Sequence, residues 1–152
     1  MKNELSNTPY DTMIRKVKMT DTVDIQTLLS QLDYPAGQQL IGEKIGLLTE
    51  HPDHELLVYE RGEKVVGFIS VHFIPQLALA GDFAHITYFC TDADNRGSGI
   101  GAMLLERVEQ LSKERHCDRI FLHCNERRVD AHRFYERNGY VNSPKYFVKK
   151  LA

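Results

Sequence analysis

Residues 94–102 read Asp-Asn-Arg-Gly-Ser-Gly-Ile-Gly-Ala, three glycines in five positions directly before an apolar run of helical spacing. Glycine beside a helix gives up stability relative to alanine. The cluster therefore points to something that must come close to the backbone. A turn between a strand and a helix supplies what an anion needs: unpaired N–H groups and the positive end of the helix dipole. The nucleotide P-loop requires a lysine after its last glycine, and none follows Gly101. The dinucleotide pattern G-x-G-x-x-G/A is matched by Gly97, Gly99 and Ala102, with Glu126 where a ribose-binding acid belongs. That pattern opens a βαβαβ half, yet only 26 residues follow Glu126, and the polar stretch Asp92 to Asn95 separates strand from glycines.

Other residues bear chemistry with less specific spacing. His85 lies in a β-branched and aromatic run, and an imidazole titrates near neutral pH, so it is a candidate base as well as a structural strand histidine. Asp33, Glu126 or a chain of waters are alternative routes for the same proton. His116-Cys117 and His123-Cys124 are adjacent pairs, whose side chains point to opposite faces in a strand, and no tetrahedral ligand spacing appears. No metal site is expected. The three cysteines are odd in number and form no C-x-x-C pair, which argues against a disulfide framework. Cys90 reads as a small buried apolar residue.

The elements that must position these residues follow from periodicity. Residues 14–19 read as a strand. Ile25, Leu28, Leu29 and Leu32 mark a helix closed by Tyr34-Pro35; Ile41, Ile45 and Leu48 mark a second, ended by His51-Pro52. Residues 55–60 and 64–74 flank Arg61-Gly62-Glu63, a hairpin signal. A strand over 84–91 precedes the glycine turn. Ile100, Leu104, Val108 and Leu111 share a face of a helix running to about His116. A strand over 119–124, a short helix ended by Asn138-Gly139, and a last strand over 145–151 complete the chain. The order is β-α-α-β-β-β-α-β-α-β, an α/β arrangement with a mixed sheet of about six strands flanked by four helices.

The chain has 152 residues, 42% of them hydrophobic, which suits one domain with a real core; residues 13–152 form it, and the polar residues 1–12 read as a flexible tail. With 26% charged residues and a net charge of -2, nothing favours nucleic acid or an anionic membrane as partner. No run approaches the ~18 apolar residues of a membrane span, and the start lacks a signal-peptide core, so a cytoplasmic protein is expected.

Two segments together carry a family resemblance. Arg96-Gly97-Ser98-Gly99-Ile100-Gly101, followed by Leu104-Leu105, resembles motif A of the GNAT superfamily of N-acetyltransferases, [QR]-x-x-G-x-[GA]. Residues 130–140, DAHRFYERNGY, are similar to its motif B, A-x-x-[FL]-Y-x-x-x-G-[FY]. The resemblance spans roughly residues 13–152 and includes the order of elements. It implies transfer of an acetyl group from acetyl-coenzyme A to a primary amine, by direct attack in a ternary complex. It implies that the N–H groups of Arg96, Gly97, Ser98, Gly99, Ile100, Gly101 and Ala102 hold the pyrophosphate of coenzyme A. It places the pantetheine arm along strand 84–91, near Phe89, Cys90 and Thr91, and Tyr135 beside the sulfur as general acid. Asn125 would meet the pantetheine arm and Arg137 the 3′-phosphate.

This chain departs from the family twice. Arg128 stands where many members carry asparagine three residues before the motif-B alanine. Ile86-Thr87-Tyr88-Phe89 holds no acid where many carry a general-base glutamate, so the base falls to a candidate such as His85. The missing glutamate keeps open a non-catalytic acyl-coenzyme A sensor of the same fold. The implied acceptor is a small-molecule or peptide amine, held by the loops 33–39 and 75–83, in a monomer or homodimer.

Overall fold

The turn Gly62-Glu63 has both residues at positive φ, 57° and 61°, the geometry of a two-residue hairpin. It joins strands β2 (His54–Arg61) and β3 (Lys64–Ile74). In this computed structural model, which describes residues 13–124, 127–143 and 147–151, the hairpin is the centre of a five-stranded sheet. β1 (Ile14–Lys16) lies outside β2, and β4 (Phe83–Thr91) and β5 (Arg119–Leu122) follow β3, in the spatial order β1-β2-β3-β4-β5. All neighbours are antiparallel except β4 and β5, which are parallel, as the crossover helix α3 (Ile100–Glu114) between them requires. The chain falls into two compact units, one ending at Leu122 and the other beginning at His123.

Side-chain alternation divides the sheet into two faces. On one face Val58, Phe68 and Cys90 meet Ile25 and Leu28 of α1 (Thr22–Gln31) and Ile41 and Ile45 of α2 (Gln38–Thr49). α3 covers the other face with Ile100, Leu104, Leu105 and Val108, all almost fully buried. A Cβ built on Gly67 of β3 would sit 3.0 Å from Ile100 Cγ2, 3.2 Å from Leu104 Cδ1 and 3.3 Å from the Cys90 carbonyl oxygen. Glycine here lets the first turn of α3 press onto the strand, which is what an isolated strand glycine often signals.

Three helices end in the same way. Asp33, His116 and Gly139 take φ of 68°, 57° and 87° just past the ends of α1, α3 and α4 (Val129–Arg137). At each, the next N–H reaches back to the helix: Tyr34 to the Leu29 carbonyl at 2.8 Å, Cys117 to Ser112 at 2.9 Å, and Tyr140 to Tyr135 at 2.9 Å. These are Schellman caps, and they fix the direction in which the chain leaves.

Among the described residues the sheet has five strands, against the expected six or so. Of the strand expected over 145–151, residues 147–151 form no regular element, and 145–146 lie outside the described residues. Phe147, Val148 and Leu151 are exposed, so the apolar pattern there buries nothing against a neighbour that would define a strand. β1 is also shorter than expected, and β5 ends at Leu122 rather than at residue 124.

Gly67→Val tests the seating of α3. Overpacking of this kind costs about 1–3 kcal/mol. Urea unfolding should show that loss, and Leu104→Ala added to it should cost less than the sum of the two single changes. Additive costs would mean that the valine does not meet Leu104.

Candidate active site

The anion loop is anchored up to Asn95 and then projects. Asp92 donates its N–H to the Val66 carbonyl at 2.8 Å. Gln31, at the end of α1, donates to Asp92 Oδ1 at 2.8 Å and accepts the Ala93 N–H at 2.9 Å. Asn95 donates to Asp92 Oδ2 at 2.8 Å and accepts from Arg61 at 3.1 Å. The hydrogen bonds from Gln31 and Asn95 hold the Asp92 carboxyl below the usual carboxylate range. Ser98 Oγ donates to the Asn95 carbonyl.

Arg96, Gly97, Ser98 and Gly99 are exposed. Gly97 and Gly99 have φ of 81° and 84°, and a Cβ on either would meet nothing within 4 Å. Packing inside the protein therefore does not require glycine at these positions. The left-handed backbone does, and it leaves open space above the loop. Gly99 is the N-cap of α3 and offers no side-chain cap. The N–H groups of Ile100, Gly101 and Ala102 have no acceptor among the described residues; Met103 makes the first helical bond, to Gly99 at 3.1 Å. This arrangement fits a phosphate, which would complete these donors at the positive end of a 15-residue helix.

β4 leads into this loop and changes partner on the way. Its parallel ladder with β5 runs only from Phe83 to Ile86, and five more residues, 87–91, continue beyond it. The register with β3 slips at the same point. Ser70 pairs with Tyr88 and Val71 with Ile86, so Thr87 is the extra residue of a β-bulge. Thr87 Oγ1 lies 3.0 Å from Ser70 Oγ, which lies 2.8 Å from His54 Nε2. Burial first, and then His72 with its ring 4.4 Å away, push His54 down to about 4, so it is neutral at pH 7. His72 is lowered too, by burial and by His51. Among the described residues no group of histidine, cysteine and carboxylate side chains is arranged to hold a metal ion.

His85 pairs with His72 in the sheet and stacks on Phe121, with centroids 4.3 Å apart and planes at 9°. Cys90 is buried, its thiol 3.4 Å from the Leu28 carbonyl. Phe89 and Thr91 are half-buried on β4. Tyr88 meets Tyr34 edge-on at 5.4 Å, and both rings remain exposed. The Asp33 cap thus brings the α1–α2 loop onto β4. The first unit therefore brings together the glycine turn, β4 from His85 to Thr91, and one of the two loops expected to hold the acceptor.

In the second unit, the α4 cap lays Tyr140 against Tyr135, centroids 6.0 Å apart. Burial, with Cys124 nearby, pushes the Tyr135 phenol up to about 12. It stays protonated across the neutral and mildly alkaline range. Arg137 is exposed in the last turn of α4. Asn125 and Glu126 lie outside the described residues.

Several contributors were absent from the sequence reading. Gly67 and Ser70, small residues inside the apolar run of β3, were a legible signal. The bulge at Thr87, the Gln31–Asp92 anchor and the Tyr34–Tyr88 contact join distant segments and left no local trace.

Comparison with known proteins agrees with this geometry. The model of the Acetyltransferase (GNAT) family matches residues 22–140. Aminoalkylphosphonate N-acetyltransferase of Salmonella typhimurium is 32% identical over 143 residues, covering 91% of this chain and 90% of that protein. Among solved structures, a transcriptional regulator from Bacillus halodurans superposes with a TM-score of 0.83 at 26% identity, covering 91% of this chain and 98% of the other. Glucosamine-6-phosphate N-acetyltransferase from Arabidopsis thaliana has the same fold, with a TM-score of 0.79 at 23% identity and coverage of 91% and 97%. No helix among the described residues is long and apolar enough to cross a membrane. A family match over residues 22–140 and a relative 32% identical along nine-tenths of the chain show that the protein belongs to the GNAT family of acetyltransferases.

Proposed function

We propose that the protein transfers an acetyl group from acetyl-coenzyme A to the primary amine of a small molecule. The observation that carries this reading is the open space over Gly97 and Gly99, next to three helical N–H groups without an acceptor among the described residues. In this reading the pyrophosphate lies on residues 96–102, with Arg96 adding a fixed positive charge. The pantetheine arm runs along β4 beyond Ile86, and main-chain N–H groups near Phe89, Cys90 and Thr91 hold it and the developing oxyanion. Arg137 meets the 3′-phosphate and Asn125 the arm.

The reaction forms a C–N bond and breaks a C–S bond. The amine loses one proton and the departing thiolate gains one. Tyr135 supplies the second proton, and burial keeps its phenol neutral and protonated until then. His85, on the same face of β4 as Tyr88, accepts the first. Tyr34 and Tyr88 form a wall of the acceptor site. The Salmonella relative makes aminoalkylphosphonates the first acceptors to try. The lack of a carboxylate in residues 86–89 favours a second reading, a sensor that binds acyl-coenzyme A without turnover. Thiol release across an amine panel decides between them: release with any amine supports the enzyme, and binding with none supports the sensor.

Coenzyme A at one hundred times its dissociation constant should stabilise the fold by about 2.7 kcal/mol. Asparagine tolerates the left-handed region, so Gly99→Asn should fold at a cost of about 1 kcal/mol or less and fill the open space. It should lose the thermal shift. A wild-type-sized shift in that variant would remove the pyrophosphate from this loop.

Tyr135→Phe should bind coenzyme A normally and lose roughly 10²-fold or more in turnover. The phenol titrates near 12, so it should contribute no fall in wild-type turnover up to pH ~10. Undiminished turnover in Tyr135→Phe would make the tyrosine structural. His85→Asn should slow the reaction most at pH ~7 and least near the pKa of the amine, where the acceptor is already neutral. An equal loss at every pH would mean that His85 only packs.

A further inference from the structure

Resting on the placement of the pantetheine arm along β4, we propose that His54, Ser70 and Thr87 form a positioning chain. This chain holds the β4 bulge, and with it the segment 87–91 on which the arm lies. None of the three touches the reacting atoms as catalytic groups.

A bulge leaves its extra residue outside the regular ladder, so the local backbone path has to be fixed by something else. Here the extra residue is Thr87. Its hydroxyl lies 3.0 Å from Ser70 Oγ and 3.3 Å from the Ser70 carbonyl oxygen, directly across the strand pair. Ser70 is 4% exposed and is flanked on β3 by Ile69 and Val71, both at 0%, so its hydroxyl must be satisfied from within the protein. Its Oγ lies 3.0 Å from Thr87 Oγ1 on one side and 2.8 Å from His54 Nε2 on the other, which joins the three side chains in one chain.

The other ring nitrogen of His54, Nδ1, is a buried polar atom with no hydrogen-bond partner among the described residues. An apolar side chain at position 54 would remove this cost, since an orphaned buried polar atom is unfavourable. The imidazole stands there at a cost, and the bond it makes is the one to Ser70. The chain also sits where the β4–β5 ladder ends, at the pair Ile86–Leu122. It fixes β4 at the point where β5 stops doing so.

The test is amide hydrogen exchange of residues 87–91 in the full chain without any ligand. Coenzyme A affinity is then measured on the same variants. Ser70→Ala, Thr87→Val and His54→Phe should each speed exchange in 87–91 by about tenfold. Thr87→Ser, which keeps the hydroxyl, should stay near wild type. Ile45→Ala, a cavity on α2 away from the bulge, should lower global stability without this local effect. The dissociation constant for coenzyme A should rise about tenfold in the three chain variants and stay near wild type in Thr87→Ser.

Exchange in 87–91 that is unchanged, or raised equally by Ile45→Ala, overturns the proposal. So does faster exchange with unaltered affinity. The exchange arm needs no ligand. A wild type that fails to bind coenzyme A would therefore count against the cofactor placement, while exchange still reads the chain.

Discussion

The start of helix α3 rests on a strand position with no side chain, and the site depends on that contact. Gly67 admits Ile100 and Leu104 to within 3.0 and 3.2 Å of where a Cβ would be. Ile100 is the first residue of α3 and directly follows the exposed glycine turn. A helix dipole acts over its first turn only, so the placement of that turn decides where an anion can bind. The apolar contact of Ile100 and Leu104 with β3 fixes the placement, and the polar anchors Asp92, Gln31 and Asn95 fix the approach from the other side. Between them, residues 96–99 need no packing partners of their own.

β4 serves the same site by what it lacks. β5 is four residues long and pairs only with the first part of β4. A mixed sheet whose parallel ladder stops early leaves a strand segment leading straight into the glycine turn. A long cofactor with a phosphate at one end and a thioester at the other matches that shape, its extended arm following the strand. Beside that segment the α1 cap, at Asp33, turns Tyr34 onto Tyr88. The two helices that end at Asp33 and His116 thus contribute through their termini as much as through their packed faces.

Most of the fold was legible because it is written in local periodicity. The apolar spacing of α1, α2 and α3, the two-residue hairpin turn and the glycine run before α3 all appear in the structure where the residues imply them. The last strand was not, because Tyr146, Phe147, Val148 and Leu151 form a β-type pattern whose outcome depends on a pairing partner. The exposed glycine turn before α3 was legible from composition, since glycine is informative wherever it costs stability. The bulge was not, because a register slip of one residue at Thr87 depends on Ser70, 17 residues away, and on His54 beyond it. The candidate base was the least legible. His85 was picked for its chemistry alone, and its neighbours His72 and Phe121 come from two other strands.

The central claim is that the N–H groups from Gly97 to Ala102 and the β4 segment after Ile86 form one continuous site for coenzyme A. An amide NMR titration of the whole chain with coenzyme A reads it residue by residue. The account predicts the largest shifts at residues 97–102 and 88–91, saturating together with a single dissociation constant. Shifts confined to another surface, such as the groove lined by Met19, Val23, Gly42 and Leu47, or two sets saturating at different concentrations, would contradict it.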